Sequence, residues 1–190
     1  ILGTIETYHG QYDQPREVFW ASGACMVVRA ALFRELGGFD ADFFAHMEEI
    51  DFCWRAKLAG YKVVADTRSE VFHLGGGTLP NNSPRKLYLN YRNNLSMLYK
   101  NLSRIGLCTI LLLRGILDTL SAVIFLLQGR VDFFKVVFRA HVDFHRSRRS
   151  LRRKRAFIKS LRRVIHPSGI YRGSIILRYA LGRHTFSRMM

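Results

Sequence analysis

The sequence has few cysteines and few acidic residues in its second half. Cys25, Cys53 and Cys108 are an odd number of thiols spread over 190 residues, and none has a second cysteine at zinc-site spacing. This argues against a cysteine-based zinc site and predicts buried thiols in a reducing compartment such as the cytosol. No basic-then-apolar segment follows Ile1, so we expect no signal peptide and expect a fragment with further residues upstream.

Acidic residues become scarce after residue 100. Residues 1–100 carry 11 Lys/Arg and 11 Asp/Glu, whereas residues 101–190 carry 19 Lys/Arg against only Asp118, Asp132 and Asp143. The second part therefore holds the whole net charge of +16 and should seek anionic surfaces, either lipid headgroups or nucleic acid. We accordingly divide the chain into regions 1–102 and 103–190.

Apolar periodicity and breaker residues predict mixed α and β structure in the first region. Residues 1–18 are polar and turn-rich and indicate a loop. The predicted strands are 24–28, 61–65 and 70–73, the last of which precedes a run of three glycines at 75–77. The predicted helices are 30–36, 48–59 and 84–101. No internal repeat is present.

The second region contains the longest apolar stretch, the 21 residues 107–127. Arg114 and Asp118 interrupt it and stand four apart, so they could pair on one helix face. We expect a helix or helical hairpin in a membrane interface, because positive charge flanks the stretch on both sides and charges at its centre disfavour a single crossing. A buried core helix and a true membrane span are the alternatives.

A second amphipathic segment at 133–144 precedes ten Lys/Arg at 146–163. This polybasic run could strengthen binding to anionic lipid. It could also be the basis of a nucleic-acid-binding module, but Phe157 is its only candidate stacking residue, so we expect no nucleic-acid partner.

Acidic residues and a histidine of the first region are candidates for a catalytic or ligand-binding site. Glu48, Glu49 and Asp51 fall in the first turn of a predicted helix, where a carboxylate can accept a proton from a hydroxyl. His73 ends a predicted strand and is followed by glycines, so it could reach a ligand or metal. Taken alone, acids in a first helical turn more often only stabilise the helix, and a lone histidine after a strand is more often a hydrogen-bonded structural residue.

Several motifs in consistent order resemble the family 2 glycosyltransferases, with the closest likeness to the bacterial rhamnosyltransferase-like branch. The resemblance covers residues 19–102. Its motifs are Ser-Gly-Ala-Cys-Met-Val-Val-Arg at 22–29, Leu-Gly-Gly-Phe-Asp at 36–40, Phe-Phe at 43–44, Glu-Glu-Ile-Asp-Phe-Cys-Trp-Arg at 48–55, Ala-Gly-Tyr at 59–61, and His73 with its glycines. Several motifs in register are more specific than any one of them.

The resemblance implies an α/β fold, in which 1–102 is the C-terminal, acceptor-side part of a GT-A mixed sheet flanked by helices. Region 103–190 would be an all-helical, basic, membrane-associated appendage. Glu49 would be the catalytic base, with Glu48 as the fallback, because relatives carry Glu-Asp where this chain has Glu48-Glu49. Asp51 would orient neighbouring groups or cap the helix, and it is also a candidate for contact with substrate.

Further site residues follow from the same resemblance. Trp20, Ser22 and Gly23 are expected to contact substrate, and His73 would join a divalent cation, Mg or Mn. The family's Asp-x-Asp metal motif and nucleotide-binding strands should lie upstream. Residues 40–42, Asp-Ala-Asp, are instead expected to form an acceptor-side loop.

The expected activity is inverting transfer of a sugar from a nucleotide-sugar donor to a hydroxyl acceptor. The expected acceptor is a lipid-linked glycan in cell-envelope polysaccharide synthesis. The protein would act at the cytoplasmic face of the bacterial inner membrane, where it would contact an anionic membrane surface. The alternatives are a non-catalytic membrane-bound scaffold and a basic nucleic-acid-binding module.

Overall fold

The computed structural model of the chain describes residue 7, residues 9–73, residue 80, residues 82–171 and residues 173–182. Within these residues the chain forms six α-helices and two short strands. In chain order they are β1 Arg16–Glu17, α1 Ala30–Glu35, α2 Glu48–Leu58, β2 Val64–Ala65, α3 Pro84–Asn101, α4 Arg104–Leu127, α5 Val131–Leu161 and α6 Ile175–Ala180. The predicted glycine break at 75–77 lies outside the described residues.

The three helix predictions in the first region are confirmed, and local signals explain their ends. α1 and α2 are each followed by a glycine with positive φ, Gly37 at 79° and Gly60 at 90°, a conformation that glycine adopts without steric cost. α3 begins where the Ser83 hydroxyl accepts a hydrogen bond from the Lys86 amide at 3.1 Å, and Pro84 fits the first helical position because it needs no amide donor there.

The strand predictions are mostly wrong within the described residues. The segment predicted as a strand at 24–28 begins with a 3-10 turn, Gly23–Cys25, and then runs extended without pairing. Only Val64–Ala65 of the strand predicted at 61–65 pairs, antiparallel to Arg16–Glu17 in the predicted loop, and 70–73 forms no strand. An extended segment becomes a strand only beside a partner, so the larger mixed sheet of a GT-A fold stays a prediction.

The helices α3, α4 and α5 form a layer in which α3 packs most extensively against α5. The amphipathic segment 133–144 and the basic run 146–163 belong almost entirely to the single 31-residue helix α5. α5 folds back antiparallel on α4, and its last turns reach α2, where Ile158 joins the core cluster of Phe43, Trp54, Leu58 and Met97. α2 is therefore central, and every residue from 51 to 59 is buried.

α4 is long and apolar enough to cross a membrane by length and composition, the only such helix in the described part of the chain. Only 11% of its apolar window is buried, which does not fit the alternative of a buried core helix. The predicted Arg114–Asp118 pair is confirmed at 2.9 Å between Nη2 and Oδ1. The prediction of buried thiols holds for Cys53 alone, because Cys25 and Cys108 are exposed; all three are free.

Candidate functional site at the start of helix α2

The loop that leads into α2 has an unusual backbone. Phe44, His46 and Met47 have φ of 63°, 67° and 73°, and they are the described non-glycine residues with positive φ. Side chains with a Cβ disfavour this region, and such conformations persist only where surrounding contacts hold them. The loop delivers Glu48 and Glu49 into the first turn of α2, where the partial positive charge of the helix end favours their ionised form.

Two neighbouring side chains of α3 hold this loop by its carbonyl groups. The amide of Asn93, which is fully buried, donates to the carbonyl oxygens of Phe43 at 3.0 Å and of Ala45 and His46 at 2.8 Å each. The Arg92 guanidinium donates to the Asp42 carbonyl at 2.6 Å and to the Asn93 side-chain oxygen. The conformation that aims the acidic pair is thus fixed from a helix about 50 residues further along the chain.

Polar atoms at the head of α2 are buried without a partner among the described residues. They are Nε2 of His46, Oε2 of Glu48 and Oε2 of Glu49. Most buried polar groups in folded proteins are hydrogen-bonded, so an unpaired cluster needs an explanation such as a ligand or ordered water. The cluster could receive a hydroxyl group, which donates to a carboxylate and accepts from an imidazole.

Burial and neighbouring charges shift the pKa values in this cluster. Burial raises the pKa of Glu49, and the charge and hydrogen bond of Glu48 raise it further, against the opposing effect of backbone amides. Burial also lowers the pKa of His46, and the charge of Lys86 lowers it further, against the opposing charge of Glu48. A carboxyl with a raised pKa is a stronger proton acceptor when ionised, so Glu49 is suited to act as a base near neutral pH.

Two of the predicted substrate-contacting residues lie next to this acidic pair. A Cβ added at Gly23 would meet Cβ of Glu49 at 3.9 Å, so the Gly23 backbone faces the first turn of α2. The Ser22 hydroxyl accepts from the Ala24 amide at 3.3 Å and starts the turn at Gly23. The Ala21 amide, 3.5 Å from the Cys53 sulfur, ties this segment to α2.

The other predicted site residues line a neighbouring cavity. Trp20, Ser22 and His73 all border an open cavity of about 1180 Å³ between the 18–29 and 61–73 segments. His73 is exposed, and among the described residues no three His, Cys, Asp or Glu side chains lie together as a metal site would need. The described residues therefore do not make a metal site by themselves, and a role for His73 with Mg or Mn stays a prediction.

Asp51 is placed differently from the other site residues. It is fully buried, and its carboxylate binds Arg55 at 2.9 Å, Asn101 at 2.8 Å and Lys100 at 3.0 Å. The Arg55 guanidinium also donates to the Leu36 and Gly38 carbonyls. This geometry fits the expected role of orienting neighbours and leaves no access for contact with substrate.

The Asp40–Asp42 loop is held by lysines from two helices. Lys100 of α3 binds the Asp40 carboxylate at 2.5 Å, and Lys154 of α5 hydrogen-bonds the carboxylates of both Asp40 and Asp42. Burial alone would raise the pKa of Asp40, but these two lysines lower it to about 2. The lysines occupy both carboxylates, which fits a structural loop better than a metal motif, and the acceptor-side role of the loop stays a prediction.

The chain is similar in part to curated glycosyltransferases. It is 41% identical over 58 residues to the N-acetylglucosaminyl-diphospho-decaprenol L-rhamnosyltransferase of Mycobacterium tuberculosis, a match covering 30% of this chain and 19% of that protein. It is 26% identical over 121 residues to the low-salt glycan biosynthesis hexosyltransferase Agl10 of Haloferax volcanii, covering 59% of this chain and 38% of that protein. It is 41% identical over 46 residues to the rhamnosyltransferase WbbL of Escherichia coli K12, covering 24% of this chain and 17% of that protein.

No family model matches the chain, and no solved structure matches it. The matches to the two rhamnosyltransferases span less than a fifth of those proteins, and the match to Agl10 spans 38% of it. These partial similarities support glycosyltransferase as the class of protein that the chain resembles. The narrower resemblance to family 2 stays a prediction.

Sequence reasoning missed the residues that hold the acidic pair in place. They include Arg92 and Asn93 of α3, which bind the loop before α2, and Lys100, which binds Asp51. His46, whose Nε2 is buried at the head of α2, was missed as well. A buried asparagine that binds backbone carbonyls leaves no periodic signal. The one available sign was the polar run Arg-Asn-Asn at 92–94 inside an otherwise amphipathic helix.

Proposed function

We propose that the chain is the acceptor-side, C-terminal part of an inverting, family 2-like glycosyltransferase whose GT-A sheet is completed by residues outside it. The observation that carries the proposal is the unpaired, buried carboxylate oxygen of Glu49 beside that of Glu48, at the head of a helix. Most buried polar groups are hydrogen-bonded, and a base needs an oxygen that its substrate can reach, so the unpaired oxygen of Glu49 is suited to accept the hydroxyl of an acceptor.

In the proposed reaction, Glu49 accepts the proton of an acceptor hydroxyl as that oxygen attacks the anomeric carbon of a nucleotide-bound sugar. The carbon–oxygen bond to the diphosphate breaks on the opposite face, the nucleoside diphosphate leaves, and the anomeric configuration inverts. Glu48 keeps the pKa of Glu49 high, and neutral His46 offers a second polar contact to the acceptor. No step is assigned to a metal ion, whose remaining ligands are expected outside this chain.

The surface of α4 and α5 supports a membrane-associated enzyme. The exposed fractions of Ile105, Leu112 and Leu127 on α4 are 94%, 69% and 82%, which is costly in water over such a length. Among the ten basic residues at 146–163, seven are exposed, namely Arg146, Arg148, Arg149, Arg152, Arg153, Lys159 and Arg163. We propose that this surface rests on the anionic cytoplasmic face of the bacterial inner membrane and that the acceptor is a lipid-linked glycan of the cell envelope.

The activity is tested with the full-length protein that contains this chain. Purified protein is incubated with a panel of nucleotide sugars and a lipid-linked glycan acceptor, and the product is analysed by proton NMR for its anomeric configuration. Transfer with inversion supports the proposal. Transfer with retention would refute the single-displacement role of Glu49, and absence of transfer with every donor would favour the non-catalytic scaffold.

The membrane contact is tested by flotation with vesicles. We expect binding to vesicles that contain phosphatidylglycerol, weak binding to phosphatidylcholine alone, and about fivefold weaker binding for each of Arg152→Gln and Arg153→Gln, since a basic residue near an anionic surface contributes about 1 kcal/mol. Lys154→Gln is the contrasting variant, because Lys154 is bound internally to Asp40. Stronger binding to duplex nucleic acid at matched salt would instead support the nucleic-acid-binding alternative.

A further inference from the structure

Phe44 exposes its ring from a strained turn in the loop before α2. Its φ of 63° and ψ of −58°, together with a hydrogen bond of 2.7 Å from the Ala45 amide to the Phe43 carbonyl, define a rare, strained form of γ-turn. Glycine is the residue that adopts a positive φ without steric cost. The Phe44 side chain is 64% exposed, so it contributes little to the core. Packing therefore does not explain why an aromatic residue occupies this turn.

Side chains of α3 hold both the turn and the ring of Phe44. The Asn93 amide donates to the carbonyl oxygens of both chain neighbours of Phe44, at 3.0 and 2.8 Å. The Arg85 guanidinium lies over the ring, with its central carbon 4.7 Å from the ring centroid, where the negative face of the ring attracts a cation. The ring is thus fixed on one face, and since most of the side chain is exposed, the opposite face is open to a ligand.

The exposed ring and the unpaired polar atoms at the head of α2 lie beside the same turn of α3. Arg85 contacts the ring of Phe44. Burial lowers the pKa of His46, and the charge of Lys86, the residue after Arg85, lowers it further. Because such an effect falls off with distance, His46 lies close to this turn as well. An aromatic face is therefore next to Nε2 of His46 and to the unpaired carboxylate oxygens of the acidic pair.

This combination favours a neutral sugar ring as the ligand. A pyranose has C–H groups on its faces, which the negative face of an aromatic ring attracts, and hydroxyl groups around its edge, which donate to carboxylates. A phosphate would meet the like charges of two carboxylates, and a lipid chain would leave the polar atoms without hydrogen bonds. A sugar ring satisfies the aromatic face and the polar atoms together.

We propose that Phe44 binds the acceptor by stacking on the sugar ring that carries the attacked hydroxyl, while Glu49 accepts the proton of that hydroxyl. This inference rests on the proposed function, because it names the part of the acceptor that the site recognises and a residue that binds it. Arg85 is a positioning residue, which acts through the ring of Phe44. The acceptor is thus a closed sugar ring rather than an open-chain polyol or an amino-acid hydroxyl.

The contact is tested by saturation-transfer-difference NMR with the full-length protein. The probes are the methyl β-pyranosides of glucose and N-acetylglucosamine, with the open-chain polyol glucitol for comparison. We expect the saturation of the pyranosides to concentrate on the axial hydrogens of one ring face and to be about fivefold weaker with Phe44→Ala, the size of an aromatic contact. Glucitol should show little saturation. Even saturation of both faces, equal saturation with Phe44→Ala, or no saturation of either pyranoside would overturn the proposal.

The kinetic test measures transfer to the lipid-linked glycan in detergent micelles. Loss of an aromatic contact should raise the KM for the acceptor about five- to tenfold in Phe44→Ala and Phe44→Leu, while the KM for the nucleotide sugar stays constant. Phe44→Tyr keeps the ring and should keep the wild-type KM. Phe138→Ala removes a phenylalanine of similar exposure, 68%, from α5 and should change neither KM. If Phe44→Ala instead raises the KM for the nucleotide sugar, the ring binds the donor and the proposal is wrong.

Further variants separate binding by the ring from its effect on folding. Phe44→Gly relieves the strained backbone, so it should unfold at a higher temperature than Phe44→Ala and bind the acceptor equally weakly. An acceptor KM that follows thermal stability across these two variants would show a structural role and contradict the proposal. Arg85→Ala should weaken acceptor binding in wild type and add nothing in Phe44→Ala, and an additive loss would refute its positioning role. Glu49→Gln should give the same NMR contact as wild type, so a failure of the base assignment and a failure of the stacking contact are told apart.

Discussion

Replacing Asn93 by alanine should damage the active site through the backbone of the loop before α2. The Asn93 amide contacts the carbonyls of Phe43, Ala45 and His46 within 3.0 Å, and it has two N–H groups to share among them. A buried carbonyl left without a donor costs about 1–3 kcal/mol. The loss of two such bonds predicts a decrease of about 2–6 kcal/mol in the free energy of unfolding.

The same change should lower turnover. The positive φ values of His46 and Met47 lie in a disfavoured region, so the released loop is expected to relax and move the carboxylates of Glu48 and Glu49. A displacement of about 1 Å at a reacting group costs roughly 100-fold in rate. We therefore expect Asn93→Ala to lower kcat by about 100-fold while the KM for the nucleotide sugar stays nearly constant, because the donor does not contact this loop in the proposed reaction.

The assay pairs steady-state transfer kinetics with urea unfolding of the full-length protein. Asn94→Ala is the matched control, because Asn94 is the next residue of α3 and lies outside this set of hydrogen bonds; its kcat should be unchanged. Asn93→Asp keeps the size of the side chain and removes its donors, so it should resemble Asn93→Ala. A stability loss with unchanged kcat would show that the loop conformation does not position the acids, and would refute the reasoning.

Two further predictions follow from charges near the site. Glu48→Gln removes a negative charge that raises the pKa of Glu49. The fall of kcat/KM on the acid side of its pH profile should therefore move to lower pH. If that fall stays at the same pH, a group other than Glu49 titrates there. The lowered pKa of Asp40, about 2 against an ordinary 3.8, contributes about 2 kcal/mol of stability that is present above pH 4 and lost as the pH falls to about 2. The Asp40→Asn variant should therefore have a lower free energy of unfolding at pH 6, and this free energy should change less between pH 4 and pH 2, as measured by urea titration. If the variant loses as much stability in acid as wild type does, other carboxylates cause that loss.

The helices were predictable from sequence because their signals are local. Ser83 and Pro84 at the start of α3, and Gly60 after α2, mark ends that need no knowledge of the rest of the fold. The strands were not, because 24–28 has the composition of a strand and lacks a described neighbour with which to pair. The burial of α2 was not predictable from residue type, because its ion-paired Asp51 and Arg55 are as inaccessible as its apolar residues.

The residues of the candidate site were also predictable only in part. The motif around Glu48 and Glu49 drew attention to the start of α2, and the structure adds that these acids have unpaired, buried oxygens. Asn93 and Lys154 were missed because each reaches the site across a long stretch of chain and contacts backbone or acids that sequence spacing does not connect. Not every residue of the basic run 146–163 is free to face a partner, because Lys154, Arg155 and Arg162 donate hydrogen bonds inside the protein.

The most direct test of the account is the turnover of Glu49→Gln, measured in the full-length protein beside Glu48→Gln and the exposed control Glu35→Gln. Loss of a general base costs roughly 100- to 10,000-fold in rate. The account predicts a loss of that size in kcat for Glu49→Gln, a much smaller one for Glu48→Gln and none for Glu35→Gln. Near-normal turnover by Glu49→Gln would contradict it.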